Sequence, residues 1–188
     1  MCCRGAIAFA IAMLAVCVPG VASAANVKRA ATVPCAGASV VATDEATRMQ
    51  AIDALLCLVN ERRAQRGLSA VQASGLLGAA AVRHSGDMVA RKFIGHTSAN
   101  GDSFRARIRR TGYARKNRNA LFGETLTWGT GMFATPSQLV AALMQSAPHR
   151  RTMLDRRFRD VGIGMVLGAP MVGVAGRAAT VTLDFGRR

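Results

Sequence analysis

Apolar residues along the first half of the chain recur at helical intervals. Ile52, Leu55, Leu56 and Val59 form one stripe at three- and four-residue spacing, which predicts a helix over 44–66 with a single buried face. Thr43 is its expected N-cap, Asp44 and Glu45 sit where the helix dipole favours negative charge, and Arg62, Arg63 and Arg66 crowd the last turns before Gly67. A second helix over 74–91 carries Leu76, Leu77, Ala80, Ala81, His84 and Met88 along one side. Ser103 caps a short third helix with Phe104 and Ile108, ended by Gly112. In the fourth, Thr135-Pro136-Ser137-Gln138 supplies an N-cap, a proline at the first helical position and a capping-box glutamine. Its stripe is Leu139, Val140, Leu143 and Met144, and Pro148 is expected to end it near Ser146, leaving His149 just past a helix terminus.

The pattern then changes period. Residues 125–128 read as a short extended segment, Val161, Ile163, Met165 and Leu167 alternate with small residues, 168–176 can turn, and 180–185 return as a strand. Four helical segments and antiparallel strands predict one layered α+β domain over residues 44–188. Ahead of it, residues 25–43 show no apolar period and contain Pro34 and Gly37, which predicts an exposed N-terminal arm.

Residues 1–24 read as a Sec-type signal peptide. Arg4 precedes an apolar run from Ala6 to Val18, and Ala22-Ser23-Ala24 fits the small-x-small cleavage pattern. The run is too short to span a bilayer, where ~20 apolar residues are expected. Leu14-Ala15-Val16-Cys17 approaches a lipoprotein box, but bulky Val16 stands where a small residue is wanted, so secretion is favoured over an anchor at Cys17. Cleavage would remove Cys2, Cys3 and Cys17 and leave Cys35 and Cys57. In an exported chain these two either form one bridge or stay apart, with Cys57 buried and Cys35 loose.

The balance of 25 Lys+Arg against 10 Asp+Glu gives a net charge of +15. Such a chain favours anionic surfaces, among them nucleic acid, a membrane of acidic lipids and cell-wall polymer. The densest basic run lies between Arg105 and Arg118, where Tyr113 is the one aromatic. That is too few stacking groups for sequence-specific nucleic-acid recognition, so the run reads as a solvated or polyanion-facing surface.

Candidate chemistry sits in three separated segments, on His96, Glu124 and His149. Two imidazoles and a carboxylate can hold a divalent metal such as zinc, or they can transfer protons with the glutamate as base. The spacing has no local metal signature, so on these residues alone both readings stay open. His84 lies on an apolar stripe, where an imidazole bonded to nearby backbone is the commoner role.

Four stretches, in order, resemble the CAP superfamily of cysteine-rich secretory, antigen 5 and pathogenesis-related proteins, in particular its short exported bacterial branch. They are Leu58-Val59-Asn60-Glu61-Arg62-Arg63-Ala64 with Gly67-Leu68; His96-Thr97-Ser98 with Gly101; Gly123-Glu124 with Trp128-Gly129; and Ser146-Ala147-Pro148-His149-Arg150 with Val161-Gly162-Ile163-Gly164. The resemblance implies a single-domain α-β-α sandwich with a central antiparallel sheet, and a cleft in which His96, Glu124 and His149 take the places of the family's two histidines and the glutamate of its Gly-Glu-Asn motif. It also implies divalent metal, a lipid or another small ligand in that cleft, and a secreted monomer without an assured reaction. Departures from the pattern are Thr125 for the asparagine, Leu143 where tryptophan is common, Ser146 in place of a second glutamate, and Ala147-Pro148 ahead of His149. Three functions follow as expectations. The first is a binding module, the second a protease-like or nuclease hydrolase using His96, Glu124 and His149, and the third a basic adhesion module for cell wall or anionic lipid.

Overall fold

A computed structural model describes residues 34–188; the expected signal peptide and cleavage site, Cys17 and the first part of the expected arm lie outside the described residues. The chain forms α1 (Glu45–Ala64), β1 (Gln72–Ala73), α2 (Gly75–Arg91), α3 (Phe104–Arg110), β2 (Leu121–Thr130), a 3-10 turn (Gly131–Ala134), α4 (Pro136–Gln145), α5 (Ala147–Met153), β3 (Asp160–Leu167) and β4 (Ala178–Arg187). The sheet runs β1-β3-β4-β2. Its three long strands are antiparallel, and the two-residue β1 adds a parallel edge to β3. On one face Leu55 and Val59 of α1 and Leu139, Val140 and Leu143 of α4 pack with Val161, Met165, Val181, Leu183 and Phe185. On the other, α2 lies over β3 and β4, where Ser85 donates to the Gly164 carbonyl and to Thr182. Helices therefore cover both faces of the sheet, which is the expected α-β-α sandwich.

Two glycines let α2 settle on the sheet. A Cβ on Gly162 would come within 2.1 Å of the α2 backbone at Leu77 and Gly78, and one on Gly164 would meet Ala81 and Val82 equally closely. The alternation of β3 therefore encodes a helix seat as well as a strand.

The helix starts depart from expectation in detail. Asp44, not Thr43, caps α1, its side chain accepting from the Thr47 amide while Thr47 reaches back to the cap. α2 begins where expected, with Ser74 as its N-cap. Leu76 is 41% exposed because the buried stripe is centred on Leu77, Ala80, Ala81, His84 and Met88. Thr135 precedes α4 but gives no side-chain cap, since its hydroxyl donates to the Met132 carbonyl. Pro148 begins a fifth helix instead of only ending the fourth, so His149 lies within the first turn of α5. Glu124 sits inside a ten-residue strand that is longer than the extended segment expected over 125–128.

Residues 34–43 are pinned to the domain and do not form a wholly exposed arm. Cys35 is bonded to Cys57 with their Cα atoms 5.7 Å apart, and Ala42 is buried. The bridge closes a 22-residue separation, a constraint on the unfolded chain worth about 3 kcal/mol. Arg63, one of the arginines crowding the last turns of α1, is fully buried. It donates to the carbonyls of Ser69, Met153, Asp155 and Phe158, tying the end of α1 to the start of β3.

Candidate functional site

The site grows from one cross-strand row. Glu124 on β2 stands opposite Asp184 on β4, which stands opposite Gly162 on β3. Side chains that share a row share a face, so the two carboxyls lie side by side, and both side chains are closed off from solvent. One cation answers them. Arg107 on α3, itself 7% exposed, pairs with Glu124 Oε2, and its other terminal nitrogen donates to the His96 carbonyl, the Ser98 hydroxyl and the Asp102 carbonyl, each at 3.0 Å. Arg107 is thus the post around which the loop from 96 to 103 is wrapped. That loop is closed by a bridge between Thr97 and Ser103 and by the Ser98 amide on the Asp102 carbonyl.

His96 is held by the same carboxylate. Its Nδ1 lies 2.7 Å from Glu124 Oε1, so Nδ1 carries the hydrogen and donates it to the carboxylate. Phe104 meets the ring edge-on at 6.5 Å between centroids. The side chain is 53% exposed while its partner is wholly covered, so Glu124 orients an imidazole that faces outward. His149 is half-buried at the start of α5. Burial first, and then the charge of His96, lower its pKa below the usual histidine value. His96 is thus near enough for its charge to be felt at His149.

The geometry changes the role expected of Glu124. Both of its oxygens are engaged, one by His96 and one by a buried guanidinium, and among the described residues no group of three or more His, Cys, Asp or Glu is arranged to hold a metal. A third, carboxylate ligand from Glu124 does not fit. What does fit is a carboxylate behind a histidine, the usual arrangement for a metal-binding imidazole. A zinc ion at this site would be held by His96 Nε2 and His149 and would supply a Lewis acid with open positions.

Asp184 joins this row of carboxyls although nothing in the sequence singled it out. No nitrogen or hydroxyl donor reaches either of its oxygens. Burial, followed by the neighbouring Glu124 charge, pushes its pKa well above the usual carboxylate range, against the pull of Arg107. One guanidinium stands against two carboxyls, and the ionised form of Asp184 is the one disfavoured. The sign of the linkage follows. A carboxyl whose folded pKa is raised contributes stability below its unfolded value near 3.8 and loses it as pH rises through the folded value. Asp184→Asn, which is neutral at every pH and can donate to Glu124, is therefore expected to raise stability at pH 7 by on the order of 1 kcal/mol. The gain shrinks towards pH 4, as urea midpoints at the two pH values will show.

Arg107 was missed as well, having been absorbed into a basic surface run. Phe104, Arg107 and Ile108 stand at three- and four-residue spacing, the signal that places all three on the buried face. His84 behaves as read, Nε2–H donating to the Gly95 carbonyl at 2.8 Å, while the Ser98 hydroxyl stands 3.3 Å from Nδ1. Thr125, where the family pattern has asparagine, is buried with its hydroxyl unpaired.

The model of the cysteine-rich secretory protein family matches residues 56–173. No match is found among curated proteins. Among solved structures, an extracellular protein containing an SCP domain from Bacillus anthracis is similar at a TM-score of 0.60 and 18% identity, over 78% of this chain and 45% of that one. This chain thus spans less than half of that protein. An outer surface protein of Borrelia burgdorferi is similar at a TM-score of 0.56 and 19% identity, over 71% of this chain and 90% of that one.

Proposed function

Since the chain belongs to the cysteine-rich secretory protein (CAP) family, we propose that it is an exported binding module whose cleft presents His96 and His149 to a divalent metal, with zinc the natural candidate, and through it to a small ligand. The observation that carries this reading is the 2.7 Å bond from His96 Nδ1 to the covered Glu124 carboxylate. It orients the ring and leaves Nε2 as the nitrogen that can face a ligand. Arg107 pairs with Glu124 and occupies the oxygen that a third metal bond would use. Two imidazoles bind less tightly than a three- or four-residue set, which suits reversible capture better than a permanent structural site.

A hydrolase has less to work with. The Ser98 hydroxyl, the one beside the network, points to His84 and Arg107 rather than to His96. His84 is itself committed to the Gly95 carbonyl, and burial lowers its pKa, with Arg107 adding to the shift. An imidazolium formed there by proton transfer would be disfavoured.

Calorimetry with Zn²⁺ on residues 25–188 tests the proposal. His96→Ala and His149→Ala should each abolish the binding heat, whereas Glu124→Gln should retain binding weakened by about 10–100-fold, as expected of a group that orients a ligand. Heats indistinguishable between the parent protein and His149→Ala would remove the metal from the cleft.

A further inference from the structure

The strand register gathers charge that is scattered in sequence. β2 and β3 begin where β4 ends, Leu121 standing opposite Arg187 and Asp160 opposite Gly186. The segment leading into β2 therefore brings Arg109 and Arg115 to the same end of the sheet as Arg151, Arg157 and Arg159 from the segment before β3, and as Arg188 from the end of β4. The acids at this pole are already committed. Asp155 pairs with Arg157, and Asp160 accepts from the Tyr113 hydroxyl at 2.5 Å. Arg109, Arg151, Arg187 and Arg188 have no carboxylate partner among the described residues.

A groove of about 470 Å³ opens into this pole, floored by Phe122, Gly123 and Phe158 and flanked by Pro148, Arg151 and the Arg157–Asp155 ion pair. The Arg109 guanidinium lies over the Phe122 ring at 5.3 Å. Gly123 keeps the floor close, because a Cβ there would come within 2.8 Å of Phe158 and Thr152. From these features we propose that the groove and its arginines bind a linear polyanion carrying repeated phosphate groups, read through its charge and not through bases. Two observations select this partner. Tyr113, Phe122 and Phe158 are buried, and guanidinium groups cover the first two, so no aromatic face is open for a base to stack on. The exposed large hydrophobic residues, such as Met132, Phe133 and Val172, belong to other parts of the fold. The pole therefore has no apolar anchor for a bilayer, and a flat membrane does not enter a groove. The proposal stands independently of the metal reading, because its ligand is held by arginines outside the His96 and His149 pair.

The test is an anisotropy titration of fluorescently labelled inorganic polyphosphate with the mature protein at several salt concentrations. It compares Arg109→Ala/Arg151→Ala with a control pair of equal charge loss, Arg83→Ala/Arg177→Ala, which lies on α2 and at the opposite end of the sheet. The groove pair should weaken binding by roughly tenfold at about 0.1 M salt and flatten the log–log salt slope by about 1.4, while the control stays within about twofold of the parent. Equal losses in both pairs would mean that net charge alone attracts the polymer and would overturn the groove. Absence of polyphosphate binding, or binding matched by phosphatidylglycerol vesicles and equally sensitive to the groove pair, would overturn it too.

Discussion

Arg107→Ala is expected to destabilise the domain by about 3–5 kcal/mol, because it strips the counter-ion from a carboxylate that has no access to water. Glu124 would be left charged beside Asp184, with His96 as its remaining partner. Three acceptors in the 96–103 loop would lose their common donor at the same time. The loop is therefore expected to loosen as the fold weakens, and the outward aim of His96 to be lost with it. Chemical unfolding measures the first effect, and the histidine resonances of residue 96 report the second. A cycle with Glu124→Gln isolates the pair. Once the carboxylate is neutral, removing the guanidinium should cost far less than in the parent, since no uncompensated charge remains. A loss below about 1 kcal/mol in the single variant, the range of an exposed pair, would show that Arg107 and Glu124 are not joined in a desolvated site.

That pair also marks where reading the sequence stops. The helices around residues 44–66, 74–91 and 135–146 were legible because their apolar residues keep a 3.6-residue period, and the order of four short motifs pointed to the family and its layered architecture. Local competition decided the details that went astray. Asp44 outbids Thr43 as a cap because Thr47 completes the box with it, and Pro148 starts a helix because its missing amide costs nothing at a first turn. The chemistry of the site was only half visible. His96, Glu124 and His149 could be named from the family pattern, yet their division of labour depends on Arg107 and Asp184. Arg107 was hidden among charges that do face water. Asp184 was hidden by alternation, since Thr180, Thr182 and Asp184 read like the wet face of a strand whose dry face is Val181, Leu183 and Phe185. β4 has no wet face. Helices cover the sheet on both sides, and Thr180, Thr182 and Asp184 are all buried.

Gly162→Ala is expected to cost about 3 kcal/mol, at the upper end of what adding a single carbon to a packed interior does. The obstacle is backbone at 2.1 Å, Leu77 and Gly78 of α2, and a helix backbone cannot rotate away as a side-chain tip could. The helix must lift, and what it carries bears on the site. His84 on α2 holds the Gly95 carbonyl, one residue before His96, and Ser85 is bonded through to Thr182 beside Asp184. Lifting α2 should therefore disturb the loop that presents His96 as well as the core. The informative comparison is Gly78→Ala, where a Cβ meets its nearest neighbour, the Ile163 carbonyl, at 4.0 Å. That change adds the same carbon to the same interface without a clash, and it replaces glycine within a helix, so it should leave stability unchanged or raise it by up to about 1 kcal/mol. Urea midpoints that fall for Gly162→Ala and hold for Gly78→Ala would show that the spacing of helix from sheet is set on the strand side. Equal midpoints would mean that α2 is not seated on Gly162, and the cross-strand row of Gly162, Asp184 and Glu124 would lose its place beneath the helix.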